Sequence, residues 1–470
     1  MIPGVSVKPT SASGPPTGPT ARLLREPLHG DRCAREVLAL LSAERLPFAL
    51  TGRWAGGGAI ISSDPVAVAN PDDDPFAILD RLPAVAPSGT AGAGAVGAVG
   101  GGWFGWLGYR LGARVERVPE GPPRPVPMPE FHLAYYDNVL RRDADGRWWF
   151  EALASAERHA ELARRLRHLR ALLGAGDRPG GHRPRADPPP PLHLDGAAAA
   201  HHLAAVADCR ERIAAGEIFQ ANLCLRLQTS FDGTGAELLE RALQHTEPGY
   251  AASFDTPHGT IASLSPELFL RRRGDELVTA PIKGTAPRPE DPLAAAQALE
   301  RLRSSTKDAA EHVMIVDLMR NDLGRVARYG SVRAPRWPTA EALPGLWHLV
   351  SHVRAQLRDG VGNADVLRAT FPPGSVTGAP KVRALRVIAE SELTGREVYT
   401  GAIGYASPVA GLELSVAIRT LELRDRHLWL GAGGGIVADS DPARELEEAL
   451  LKARPIAAAI GTTVTVGRVR

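Results

Sequence analysis

The chain has 470 residues, with 55 Lys and Arg against 53 Asp and Glu. That length suits one large domain or two to three ordinary ones, and near-neutral charge without a basic run argues against a nucleic-acid binder. No uncharged apolar run of 18 residues occurs, so no membrane-spanning helix is expected.

Residues 1–20 are rich in Pro, Ser, Thr and Gly and lack an apolar core, which predicts a disordered tail and not a signal peptide. An N-terminal region follows over 21–175. Within it GTAGAGAVGAVGGG (Gly89 to Gly102) reads as a flexible loop, and EALASAERHAELARRLRHLRALL (Glu151 to Leu173) has helical spacing. Cys33, Cys209 and Cys224 form no C-x-x-C pair and are expected as small core residues in a reducing cytoplasm. Residues 176–194, with GDRPGGHRPRADPPPP, read as an exposed linker ahead of a C-terminal region, 195–470.

That region opens with a helical run, His201 to Gly216. In IFQANLCLRL, Phe219, Ala221, Leu223, Leu225 and Leu227 alternate with Gln220, Asn222, Cys224 and Arg226, which predicts a strand with one buried face. Strand-like runs over Thr260–Arg272 and Glu276–Ile282 are joined by the turn Arg273-Gly274-Asp275. Helical patterns cover Asp291–Leu302 and Lys307–Val326. Strands are expected at Val398–Ala406, Leu412–Leu423 and His427–Leu430, then a helix over Pro442–Arg454 and a strand over Thr462–Val466. Strands joined by short turns, with helices between, indicate an α/β fold of layered, mainly antiparallel sheets.

Only five of the basic residues are lysine: Lys8, Lys283, Lys307, Lys381 and Lys452. Arginine serves almost everywhere else, so the lysine within APIKGTAPR (Ala280 to Arg288) draws notice for its amine, which arginine cannot replace as a nucleophile. GSVTGAPK (Gly374 to Lys381) lacks the Gly before and the Ser/Thr after the lysine that a phosphate loop needs. GAGGGIVAD (Gly431 to Asp439) is not G-x-G-x-x-G; its glycines suit either a tight turn or a backbone that a ligand approaches closely. Asp308 and Glu311 lie three apart on one expected helix, and Glu445 and Glu448 repeat that spacing on another, with Lys452 four residues on. Such carboxylates are either ordinary solvated charge or a pair of faces meeting across Mg²⁺.

Together the stretches FQANLCLR, SLSPELFL, PIKGTAPR, EHVMIVDLMRNDLGRVA, HLVSHV, FPPGSVTGAPKVRAL, VYTGAIGYAS, LSVAIRT, GAGGGIVADSDP and ELEEALLKA resemble the chorismate-utilising enzymes, in that family's order. GGWFGWLGY and FHLAYYDNVL resemble the N-terminal part of the component I members. The resemblance implies two large, mainly antiparallel sheets packed as a sandwich, with outer helices and the active site in a cleft.

Within that family two positions discriminate. Members that add water at C2 of chorismate carry lysine where this chain has Gln220, and glutamine cannot act as the base. Anthranilate synthases resemble PIAGT where PIKGT stands here, and aminodeoxychorismate synthases resemble PIKGT. The resemblance therefore implies an aminodeoxychorismate synthase-like component I on the route to 4-aminobenzoate, which feeds either folate or a secondary metabolite, with Lys283 as covalent nucleophile and Glu267 as general acid. It implies Mg²⁺ on Glu311 and Glu448, with Asp308 and Glu445 flanking. It places Gln220, Gly284, Thr285, Ser375, Tyr399, Arg419, Gly433, Gly434, Gly435 and Lys452 at the substrate, with His348 also in the active site. Ammonia is expected from a separate glutamine amidotransferase, because no cysteine lies in a glutaminase-type elbow. Two departures stand out: Ala449 where relatives carry a hydroxyl, and PFALTGRW roughly where a tryptophan-binding L-L-E-S-like segment stands, so tryptophan feedback is not expected.

Overall fold

The computed structural model describes residues 20–86, 97–174, 186–343 and 346–468, without the side chains of 306–308 and 343. The expected tail, the larger part of the linker and most of the Gly89–Gly102 loop lie outside these residues. Among the described residues, sheets of thirteen, eight and three strands form, antiparallel except where Leu192–Leu194 pairs with Val464–Val466. No helix of the described residues is long and apolar enough to cross a membrane.

Period-two alternation builds the layers. In the strand Phe48–Gly52, Phe48 and Leu50 enter the core between the two large sheets, while Ala49 faces an outer core with helices such as His159–Gly174 and Pro442–Ala459. In Gly102–Leu107, Phe104 and Trp106 join the inter-sheet core, while Trp103 and Leu107 face a third core shared with the helices Thr306–Gly324 and Asn363–Thr370. Both faces of both sheets are therefore covered, which is why so many strands read as continuous apolar runs. Phe48 stacks on Phe104 with ring centroids 4.4 Å apart, and each such buried aromatic contributes roughly 1.5–3 kcal/mol.

Three seams between sheets position the site. Gly259–Ser265 belongs to the thirteen-stranded sheet and Leu268–Arg273 to the eight-stranded one, so Pro266 and Glu267 bridge them. Gly411–Val416 and Thr420–Arg424 make the reverse crossing over Ala417, Ile418 and Arg419. Main-chain bonds tie these two crossings together: the Val416 N–H donates to the Glu267 carbonyl and the Leu264 N–H to the Arg419 carbonyl, each at 3.0 Å. The third seam is Pro281, where Glu276–Ala280 gives way to Ile282–Pro287 of the small sheet.

Several expectations are corrected. Residues Glu151 to Ala154 are not helical; they end the strand Trp148–Ala154, and the helix is His159–Gly174. Tertiary bonds override helical spacing here, because the buried Glu151 carboxylate accepts from Val99 N (2.7 Å), Gly100 N (3.1 Å) and Arg25 Nε (3.1 Å). The run Leu412 to Leu423 is two strands in different sheets. Of the cysteines, Cys209 is buried, but Cys33 sits at the start of the helix Ala34–Leu41 and Cys224 faces the site; all three are free. The strand Gln220–Ser230 forms as expected, yet Phe219 is exposed ahead of it and Gln220 and Asn222 are buried.

Candidate active site

The strand Ile282–Pro287 pairs with Leu346–Val350, matching Ile282 with Val350 and Thr285 with His348. Lys283 and Gly284 thus stand opposite Leu349 alone, a bulge that re-aims the lysine. Gly284 has φ 79°, which a β-carbon would disfavour, so glycine after the lysine has a local cause. The Lys283 amine lies 3.5 Å from where a β-carbon on Gly435 would sit. Burial pushes its pKa down; the Glu311 charge opposes this, Lys452 adds to it, and Glu267 and Glu448 also oppose it. Lys283, Glu267, Glu311, Glu448 and Lys452 are therefore electrostatic neighbours.

Glu267, on the first seam, is 5% exposed. Burial raises its pKa to about 7, against a Ser375 hydrogen bond, the charges of Lys283 and Arg419, and the Ile282 backbone. Ser375 lies in the short turn Gly374–Val376 and is buried. Arg419 takes φ 51° where its strand changes sheet; a non-glycine residue in this region stores about 1–3 kcal/mol of strain. Burial also lowers its pKa, with Glu267 opposing.

His348 is 1% exposed and neither ring nitrogen has a hydrogen-bond partner. Burial first, then the Arg419 charge, lowers its pKa to about 4, leaving a neutral imidazole with unused polar capacity. A packed structural histidine would have its nitrogens satisfied. Thr285, its strand partner, is exposed.

The glycine run is strand, not turn. His427–Ile436 pairs with Gln220–Ser230 residue by residue, matching Gly433 with Cys224, Gly434 with Leu223 and Gly435 with Asn222. Each glycine gives way to a different neighbour. A β-carbon on Gly431 would strike the Tyr399 ring, one on Gly433 the Leu223 carbonyl, and one on Gly435 the Gln220 amide. At Gly434 it would fall among Glu445 Oε2 (3.3 Å), Lys452 Nζ (3.6 Å) and Glu448 Oε1 (3.8 Å). The glycines thus leave no side chain between this strand and the charged groups around it.

Gln220 is 1% exposed, with Oε1 unpartnered. Tyr399 is buried; its hydroxyl accepts from the Cys224 thiol at 3.8 Å, and burial raises its pKa well above the usual value. Lys452 donates to the Gly433 carbonyl at 2.9 Å and pairs with Glu448 Oε1 at 2.9 Å, so it turns to its own helix's glutamate. Glu445 is buried and accepts from Ser440 Oγ at 2.7 Å. The side chain of Asp308 lies outside the described residues.

Two groups escape the sequence reading. His312, next to Glu311, is buried; its Nε2 shares a 2.6 Å hydrogen bond with Ser351 Oγ, its Nδ1 has no partner, and burial with the Lys283 charge lowers its pKa to about 4. Beside Tyr399, the buried Arg396 pairs with Glu392 (Nη2 to Oε1, 2.6 Å), donates to the Val376 and Asn222 carbonyls and lies 4.6 Å over the Tyr109 ring, while Glu392 Oε1 also accepts from the Cys224 N–H at 2.8 Å. Helical position alone marks His312 as inward-facing, and nothing local pairs Glu392 with the strand Gln220–Ser230.

Among the described residues no three His, Cys, Asp or Glu side chains gather tightly enough to hold a metal by themselves. Magnesium does not need three, since it commonly takes one or two carboxylates, waters and an anionic substrate. Glu311 and Glu448 both act on the Lys283 amine, and Glu445 and Glu448 flank Gly434, so the all-oxygen donor set fits that ion.

A family profile described as chorismate binding enzyme matches residues 60–458. The aminodeoxychorismate synthase component 1 of Salmonella typhimurium is 37% identical over 353 residues, 74% of each chain. Anthranilate synthase component 1 of Streptomyces coelicolor is 42% identical over 257 residues, 54% of this chain and 50% of its own length. The crystal structure of anthranilate synthase component I from Streptococcus pneumoniae superposes with a TM-score of 0.69 at 25% identity, covering 96% of this chain and 95% of that one. With one profile spanning most of its length and this fold beneath the match, the chain belongs to the chorismate binding enzyme family.

Proposed function

We propose that this protein is component I of an aminodeoxychorismate synthase, converting chorismate and ammonia to 4-amino-4-deoxychorismate and water. The observation that carries this reading is the bulge at Lys283 and Gly284, which sets the lysine amine beside Gly435 and among the charges of Glu267 and Glu311. Burial favours the neutral amine that a nucleophile requires, and a Glu267 carboxyl with a pKa of about 7 holds a proton that it can give.

In the first displacement the Lys283 amine bonds to C2, the ring double bond shifts, and the C4–oxygen bond breaks. Glu267 protonates the departing hydroxyl, which leaves as water, and a secondary ammonium and a carboxylate remain. In the second, ammonia bonds to C4, the double bond shifts back, and Lys283 leaves C2 as the neutral amine. The new C4 ammonium then returns one proton to Glu267, closing the cycle. Two allylic displacements place nitrogen at C4, where a single one would place it at C2.

Glu311 and Glu448 would hold Mg²⁺, with Glu445 and Asp308 beside them, and the ion would supply charge to orient the ring carboxylate. Arg419 offers a planar fork and Lys452 a point charge to carboxylates. His348 and Gln220 keep unpaired ring nitrogens and an unpaired amide oxygen for substrate polar groups. A separate glutamine amidotransferase would provide ammonia in the cytoplasm, with ammonium salts substituting in vitro.

The test is turnover of chorismate with Mg²⁺ and ammonium at mildly alkaline pH, with product masses recorded. Aminodeoxychorismate supports the reading. Anthranilate would make the protein an anthranilate synthase component I, and no product would make it a non-catalytic chorismate binder. Lys283→Ala should lose aminodeoxychorismate formation by orders of magnitude; a normal rate would remove the covalent step.

A further inference from the structure

A cleft of about 380 Å³ opens on the outer side of the helix Thr306–Gly324, between that helix and the segment Val332 to Pro338. Val313 and Trp337 stand exposed at its mouth, the latter 68% exposed. Its lining is mostly apolar, with Arg320, Arg333 and Arg336 among the charged groups and Asp317 paired with Arg320 at 2.8 Å. Inward, the lining includes His312 and Ser351, joined by their 2.6 Å hydrogen bond.

This floor backs onto the reactive lysine. The Ser351 N–H donates to the Pro281 carbonyl at 3.3 Å, two residues before Lys283, and Ile282 pairs with Val350. His312 follows Glu311 on the helix. The pair thus separates a solvent-open cleft from the Lys283 strand. His312 is 3% exposed, and its Nδ1 has no hydrogen-bond partner. A buried polar nitrogen without a partner costs about 1–3 kcal/mol, a cost that a small polar occupant would relieve.

We propose that this cleft is the ammonia inlet of the enzyme and that His312 Nδ1 is the group that receives ammonia before it reaches the Lys283 adduct. The inference rests on the amination proposed above. Ammonia donates and accepts hydrogen bonds, so it pairs with Nδ1 in either tautomer. Its passage needs only that the 2.6 Å His312–Ser351 hydrogen bond part by the width of one small molecule, which a dicarboxylate exceeds. Arginines around the cleft oppose ammonium and leave the neutral molecule as the species admitted. Chorismate then occupies the glycine-strand side of Lys283 while its co-substrate arrives from the helix side.

Ala309 and His312 lie three apart on the helix, so a large side chain at 309 would cover the histidine. Ala309 is exposed, and Ala309→Trp removes no packing. Initial rates with ammonium chloride at fixed pH, with chorismate saturating and then varied, should show KM for ammonia raised at least tenfold in Ala309→Trp. KM for chorismate and kcat at saturating ammonia should stay at wild-type values. His312→Leu should also raise KM for ammonia, and thermal melting would verify that it folds. If wild-type protein aminates chorismate and both folded variants keep the wild-type KM for ammonia, the inlet is overturned while the amination stands. If wild-type protein yields no aminated product, both readings fall.

Discussion

Replacing Glu267 with glutamine separates its electrostatic cost from its chemistry. The carboxyl is pushed from an ordinary 4.5 to about 7 on folding, and at about 1.4 kcal/mol for each tenfold change in proton affinity that amounts to about 3 kcal/mol. The sign follows from proton counts. Between pH 4.5 and 7 the folded state holds the proton that the unfolded state has released, so stability falls as pH rises through this window. Below it the carboxyl is neutral in both states and contributes nothing; above it the full cost remains. Glu267→Gln is permanently neutral and close in shape. It should be more stable than wild type by about 3 kcal/mol at pH 8, with the gain vanishing below about pH 4.5. Titrating groups that do not feel Glu267 cancel in the difference; Lys283 and Arg419, whose pKa values its charge raises, do not. Urea unfolding of both proteins at pH 4.5, 6 and 8 measures it. Aminodeoxychorismate formation by the same variant should drop by about 10²–10⁴-fold, the usual worth of a general acid. A stability difference that does not change with pH would show that Glu267 does not titrate near neutrality and would remove the acid assigned to the first displacement.

His348→Leu should leave stability unchanged or raise it by up to about 2 kcal/mol, because it removes two unsatisfied buried nitrogens, while turnover falls; thermal melting and steady-state kinetics on one preparation test the split. Gly433→Ala should destabilise the fold by about 1–3 kcal/mol through collision with the Leu223 carbonyl. Gly435→Ala should instead displace the Gln220 amide, raising KM for chorismate with a smaller loss in denaturation midpoint. Arg396→Ala leaves Glu392 buried without its ion-pair partner and should cost about 3–5 kcal/mol, read by chemical unfolding.

Part of the candidate site's geometry is legible because it is written locally. Lys283 stood out among scarce lysines, and Gly284 after it supplies the backbone angle that the bulge needs. The i,i+3 carboxylates were visible as spacings, though Glu445 belongs to the protein interior. Long-range partners were not legible. Four glycines in five residues suit either a turn or a backbone that a ligand approaches, and only the pairing with Gln220–Ser230 decides that they are extended. Glu151 sits in a run with helical periodicity, but backbone donors at Val99 and Gly100 hold it in a strand. A period-two pattern puts Gln220 on an open face; it cannot reveal Gly378–Ala379 pairing beside it or Gly435 standing against its amide. In sequence His312 resembles any inward-facing helix residue; its Ser351 partner lies 39 residues away.

The first two seams carry a wider consequence. The acid at 267 and the guanidinium at 419 hang from paired links that each span the two great layers, so the reach of those links gauges the thickness of the filling. Any change that swells or thins the aromatic stack of Phe48 and Phe104 alters that gauge without touching the cleft. Activity in this enzyme should therefore register repacking of its deep interior sooner than bulk stability does.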